Sequence, residues 1–218
     1  ILTIKPFIDD VNFFYLDAKS MNIKNVNVIG DSIGEIKYTY DANRLTFNSE
    51  FSLKKENIFT IEIDYETVPS NYLDSLSPEN KGLYFIDPLD TIPGLMPQIW
   101  TQGESEFNSI WFPCLDRPDE KYTQEIFITV DTAYTTLSNG ILISKIYNEN
   151  ATRTDYWKQD QPHSTYLTMI AVGDWEVMEM SSEIIPLYVY SEKDYAESMK
   201  AVFGNTEEMI RFFSELFD

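Results

Sequence analysis

The chain has 218 residues, 43% of them hydrophobic and 15% aromatic, which is the composition of a folded domain and excludes disorder. Thirty-six acidic residues against 16 basic ones give a formal net charge of −20, a field that repels phosphate backbones and anionic lipid, so nucleic acid is excluded as a partner. The same acidity reads first as solubility, and secondarily as a preference for cationic ligands such as peptide amino termini.

One cysteine, Cys114, excludes an internal disulfide framework and a multi-cysteine zinc site, and reads as a small buried apolar residue. No run approaches the ~20 apolar residues that span a bilayer, so no membrane segment is expected. No basic-then-apolar signal opens the chain; it begins at Ile1, already in a strand-like run, which points to something removed upstream. A soluble protein is expected, with a cytoplasmic, periplasmic and secreted setting equally compatible with these features.

Strand signals follow in order. Apolar or alternating runs occur at Ile1–Ile4, Val11–Leu16, Ile23–Ile29, Ile36–Tyr40 and Arg44–Phe47. In Ile58–Tyr65, Phe59, Ile61, Ile63 and Tyr65 alternate with polar residues, the period of a half-buried strand. The stretch Pro69 to Pro97, with Ser-Pro, Asp-Pro and Ile-Pro-Gly elements, reads as an irregular excursion. Further runs are Glu125–Val130, where Ile126, Ile128 and Val130 share a face, then Ile141–Ile146, Tyr166–Val172 and Ile184–Tyr190. Turn-forming Asp-Ala-Asn-Arg, Ser-Asn-Gly and Val-Gly-Asp punctuate them. The expected fold is mainly β, a large antiparallel β-sandwich or saddle-like domain over residues 1–190.

From Ser191 the pattern changes. Ser191-Glu192-Lys193-Asp194 has the form of a capping box, and Tyr195, Met199, Val202 and Phe203 recur at helical spacing. Gly204 suits a helix end and Asn205 a new cap, after which Met209, Ile210, Phe213, Leu216 and Phe217 form a second stripe. One or two C-terminal helices are therefore expected over 191–218, either as the start of a second domain that is cut short or folded back on the β-domain.

The chemistry is sparse. His163 is the sole histidine, so the two imidazoles of a His-Glu-x-x-His zinc site are missing, and no Gly-x-Ser-x-Gly elbow or phosphate-cradling glycine loop occurs. His163 reads as structural. With so many carboxylates, acidic pairs arise by chance and no glycosidase dyad is argued. One segment stands out, Trp100 to Pro118, in which Gln102 and Glu104 lie two residues apart and share a side if extended. On the residues alone it reads as a polar strand edge running into an Asp-Arg-Pro-Asp turn.

Thr101-Gln102-Gly103-Glu104, followed by Pro113-Cys114-Leu115-Asp116, Pro118 and Lys121, resembles the Thr-Gln-x-Glu/Gln … Pro-Cys-x-Asp-x-Pro … Lys signature of the aminopeptidase N and leukotriene hydrolase family. Leu16-Asp17-Ala18, Lys81-Gly82-Leu83-Tyr84, Leu137-Ser138-Asn139-Gly140, Ser164-Thr165-Tyr166-Leu167 and Val172-Gly173-Asp174 match further segments in the family's order. The resemblance implies the non-catalytic N-terminal β-domain of a zinc-dependent aminopeptidase, its zinc ligands and general base lying beyond Asp218 in a missing catalytic domain that begins with the helices after Ser191. It implies that Glu104 holds the substrate's free amine and that Gln102 contacts the peptide near its first residue. Gly103 and the acidic Ser105-Glu106 depart from many members, while Asp116 and Arg117 read as structural. These 218 residues alone are expected to be inactive. The alternatives are a free-standing β-sandwich that binds carbohydrate or calcium, and a scaffolding domain without peptidase activity.

Overall fold

The computed structural model describes residues 1–30, 34–68 and 82–217, and its fifteen described strands pair antiparallel in five sheets. In the N-terminal part, β2 (Val11–Asp17), β5 (Arg44–Leu53) and β4 (Ile36–Tyr40) form one sheet in the order 2-5-4. A second joins β1 (Leu2–Ile4), β6 (Phe59–Thr67) and β3 (Met21–Ile29) in the order 1-6-3. Alternation puts Leu45 and Phe47 of β5 and Phe59 and Ile61 of β6 on inner faces, each 2% exposed or less. They join Leu16, Ala18, Met21 and Leu53 in one core, where Phe14 stacks on Phe47 at 4.8 Å and tilts against Phe59 at 5.6 Å. Each of the Leu, Ile, Phe and Met side chains contributes about 1.5–3 kcal/mol by leaving water, so this double layer is the main hydrophobic anchor among the described residues. Ile63 and Tyr65 continue the β6 face half-buried, while Ile58 precedes the strand and is exposed.

Downstream, β7 (Leu83–Ile86), β8 (Gln98–Thr101), β10 (Thr135–Ser138) and β13 (Ile170–Gly173) form a sheet in the order 10-13-8-7. β9 (Lys121–Asp131), β11 (Ile141–Tyr147) and β12 (Thr152–Ser164) form another, in the order 11-12-9. β14 (Glu176–Met180) and β15 (Leu187–Ser191) make a final pair. The expected excursion over 69–97 contains β7, and its residues 69–81 lie outside the described chain. The run expected at Tyr166–Val172 is a strand only from Ile170, because Thr165–Leu167 winds into a 3-10 turn closed by the Thr168 N–H on the Thr165 carbonyl at 3.0 Å. The last run starts at Leu187 rather than Ile184, since Pro186 has no N–H to give a ladder.

Among the described residues β12 is the longest strand, and its sequence does not advertise it. Its inward positions include Arg153 and Asp155, which are buried and paired at 2.6 Å. Arg153 also donates to the Tyr134 carbonyl at 2.8 Å, Thr136 donates to Asp155 Oδ2 at 2.7 Å, and Trp157 Nε1 donates to Thr136 at 3.0 Å. This polar network ties β12 to β10 across the two sheets.

At the C-terminal end the capping box does not form. Ser191 is still paired with Glu176 in the β14–β15 ladder, and its hydroxyl bonds the Glu192 carbonyl at 3.0 Å instead of an amide N–H. A 3-10 turn over Lys193–Ser198 leads into a short α-helix, Met199–Phe203, anchored by buried Met199, and Gly204 ends it. A second helix, Thr206–Phe217, carries the predicted apolar stripe, but Met209, Phe213, Leu216 and Phe217 are all more than half exposed. Among the described residues no helix is long and apolar enough to cross a membrane.

Candidate functional site

β8 delivers the Thr101–Glu104 segment to a crowded junction. Thr101 ends the strand with its hydroxyl taking the Ile170 N–H at 3.0 Å, and the Gln102 N–H donates to the Gly82 carbonyl at 2.9 Å. The backbone then turns out of the sheet, the Phe107 N–H closing on the Gly103 carbonyl at 2.9 Å, and Asn108–Ile110 makes one 3-10 turn. Gln102 and Glu104 are thus not neighbours on one face of a strand; they flank buried Gly103 where the loop begins. Both are exposed, and among the described residues neither side chain is held by a hydrogen bond.

Gly103 is required by space. A Cβ there would lie 2.4 Å from the Tyr166 carbonyl and 2.5 Å from Asn108 Nδ2, contacts that no side chain tolerates. Asn108, fully buried, is the reason for the crowding. Its amide donates to the Thr165 carbonyl at 2.6 Å and the Thr168 carbonyl at 3.0 Å, and its Oδ1 accepts the Trp111 indole N–H at 2.8 Å. Every hydrogen-bonding arm thus has a partner, as burial demands.

The rest of the loop is clamped from three directions. Asp17 and Cys114 exchange backbone hydrogen bonds at 2.7 and 3.0 Å, while the Lys19 N–H donates to the Ser109 carbonyl at 2.8 Å. Thr67 and Tyr65 of β6 donate to the Ile110 and Trp111 carbonyls at 2.6 and 3.2 Å. Ser164 and Thr165 donate to the Pro118 and Leu115 carbonyls at 2.7 and 2.8 Å. Asn139 adds a second tier, donating to the Leu167 carbonyl at 2.9 Å and accepting the Met169 N–H at 2.8 Å. Most of the short segments that carried the family resemblance, from Leu16 to Leu167, therefore meet at one junction; Val172-Gly173-Asp174 instead lies at the end of β13, which pairs with β8 and β10, and Lys81 lies outside the described residues.

Asp116 is 3% exposed and accepts the Ser109 N–H at 2.9 Å, and burial raises its carboxyl above the usual range. Burial likewise pushes the Cys114 thiol well up, so it stays protonated and inert. Arg117 is forked onto Asp119 at 3.0 and 2.7 Å. Half-buried His163 sets Nδ1 at 3.1 Å from the Ser164 carbonyl and packs its ring 5.3 Å from Tyr122. Among the described residues no three His, Cys, Asp or Glu side chains are grouped to hold a metal ion, so these residues do not fit a zinc centre. Sequence reasoning missed Asn108 and Lys19; the sole hint was Gly103, whose missing side chain marks a close approach.

Comparisons with known proteins agree with this architecture. Residues 3–167 match the family model described as the Peptidase M1 N-terminal domain. The chain is 24% identical over 221 residues to leukotriene A-4 hydrolase of Xenopus laevis, covering 99% of this chain and 34% of that protein. It is 25% identical over 224 residues to puromycin-sensitive aminopeptidase of Caenorhabditis elegans, covering 100% of this chain and 22% of that protein. Against human aminopeptidase B it is 26% identical over 141 residues, 64% of this chain and 20% of the relative. In fold it is similar to an M1 zinc metallopeptidase from Deinococcus radiodurans, with a TM-score of 0.64 at 15% identity, covering 86% of this chain and 40% of that one. The chain thus spans about a third or less of the curated relatives it matches. With the match running over most of its length, the chain belongs to the Peptidase M1 N-terminal domain family.

Proposed function

We propose that this chain is the non-catalytic N-terminal domain of a zinc aminopeptidase, and that Glu104, assisted by Gln102, holds the free α-amine of the peptide substrate. The observation that carries this reading is the contrast at the junction. Gly103 and Asn108 are buried, with every polar arm of Asn108 engaged, while Gln102 and Glu104 on either side of Gly103 are exposed and unengaged among the described residues. A rigid base with outward polar side chains is how a binding group is pre-positioned. An α-ammonium, with a pKa of about 7.7–8.0, is largely cationic at neutral pH and favours a carboxylate partner. Anchoring that group fixes the distance from the peptide's amino end to the scissile bond, which makes the enzyme an exopeptidase.

In this reading the zinc, its ligands and the general base come from a catalytic domain outside these 218 residues, and the 191–218 segment begins that domain. The exposed stripe Met209, Phe213, Leu216 and Phe217 supports this, because an apolar helix face of that size calls for a covering partner. The test is hydrolysis of aminoacyl-anilides by the chain alone and by a protein that extends past Asp218, each with and without chelator. Chelator-sensitive release by the longer protein only is expected. A folded longer protein without zinc-dependent turnover would instead favour a scaffolding domain.

A further inference from the structure

A second polar feature lies on the same loop but is separate from Gln102 and Glu104. A cleft of about 390 Å³ opens between the end of β2, the start of β5 and the Glu106–Arg117 stretch. Three of the chain's 16 basic side chains line it, in a molecule with more than twice as many acids: Lys19, Arg44 and Arg117. The two guanidiniums are held in place. Arg44 lies 4.4 Å over the Tyr15 ring with its Nε on Asp17 at 3.1 Å, and Arg117 is fixed by its fork onto Asp119. Lys19 Nζ donates to the Glu106 backbone carbonyl at 2.8 Å.

Three carboxylates share the lining, Asp17, Glu106 and Asp116. Asp116 is 3% exposed and gives Oδ2 to the Ser109 N–H, but its buried Oδ1 has no hydrogen-bond partner among the described residues. An acceptor in that position calls for a donor. A purely anionic ligand would face the three carboxylates, and a purely cationic ligand or metal ion would face the three bases. A ligand carrying both charges meets each with its opposite. The cleft is at the small end of ligand sites, which run roughly 300–1,000 Å³, so the ligand is small.

We propose that this cleft binds a small zwitterion, a free α-amino acid or dipeptide, with its carboxylate on the Arg44 and Arg117 guanidiniums and its ammonium toward Asp17 and Asp116. Guanidinium is the matching partner for a planar carboxylate, and buried carboxylate for an ammonium. The inference is independent of the role proposed for Glu104, since none of its residues is shared.

The experiment is a titration of the ¹⁵N-labelled chain with L-alanine and L-alanyl-L-alanine, following amide shifts, with acetate and methylamine as single-charge probes. Saturable shifts confined to the amides around Lys19, Arg44 and Asp116–Arg117 are expected for the zwitterions, and weaker ones for either single-charge probe. Arg117→Gln and Arg44→Gln, both at exposed side chains, should each weaken zwitterion binding about tenfold with the spectrum otherwise unchanged. Absence of saturation through the high-millimolar range, equal response to acetate, or unchanged affinity in both variants would overturn the proposal.

Discussion

Replacing Asn108 by alanine is the sharpest probe of the junction beneath Glu104. The substitution removes three hydrogen bonds at 2.6, 3.0 and 2.8 Å. The Thr165 carbonyl keeps the Thr168 N–H at 3.0 Å, so it is not stranded. The Thr168 carbonyl and the Trp111 indole N–H lose the partners described for them, and a buried group left without a partner costs about 1–3 kcal/mol. The expected loss is therefore about 3 kcal/mol, a large share of a stability that is typically 5–15 kcal/mol. Urea unfolding followed by tryptophan fluorescence reads it as a lower midpoint with an unchanged slope. Asn108→Asp should fare worse than alanine, because it points a carboxylate at two carbonyl oxygens. A loss below about 1 kcal/mol for Asn108→Ala, or an Asn108→Asp variant as stable as the parent, would refute the idea that this side chain organises the loop.

Three further outcomes follow from the same geometry. Gly103→Ala drives a methyl into the Tyr166 carbonyl at 2.4 Å, so it should lower stability by about 1–3 kcal/mol and, if Glu104 holds the substrate amine, raise KM in a catalytically competent protein by displacing it. Arg153→Ala leaves buried Asp155 uncompensated and should cost about 3–5 kcal/mol by the same denaturation assay; Lys in its place should not recover the forked contacts. The two buried acids should respond to pH in opposite senses. Burial raises the Asp155 carboxyl, but the hydrogen bonds from Arg153 and Thr136 and the Arg153 charge outweigh it and hold the group below its usual value. Its stabilisation is thus present above the ordinary aspartate range and is lost as pH falls through the depressed value. Asp116 is raised by burial, so its ionisation opposes folding from the ordinary range upward, and the penalty is relieved on acidification. Stability of Asp116→Asn measured across mildly acidic to neutral pH should rise relative to the parent as pH increases; a constant difference would contradict the assignment.

What the sequence revealed depended on what each inward position carried. β5 and β6 are legible because Leu45, Phe47, Phe59 and Ile61 place apolar side chains at period two on the core face. β12 is not, because its inward positions are Arg153, Asp155 and Trp157, and a buried ion pair is indistinguishable in sequence from a solvated face. The capping pattern at Ser191 failed for a tertiary reason, its residue being used first by the β14–β15 ladder. At the junction, family resemblance identified Gln102 and Glu104 as side chains of interest, while the extended geometry imagined for them gave way to a turn. Asn108 stayed hidden, since nothing in its local sequence says that carbonyls more than fifty residues later in the chain will arrive at its amide.

The role of Glu104 is tested most directly by comparing kcat/KM for a peptide with a free amino terminus and for the same peptide N-acetylated, in a protein extending past Asp218 and in its Glu104→Ala variant. If Glu104 holds the α-ammonium, the parent strongly favours the free amine and the variant loses most of that preference, by about tenfold or more, chiefly through the free-amine substrate. An unchanged ratio in a variant that keeps its fold and its zinc-dependent turnover would contradict the assignment.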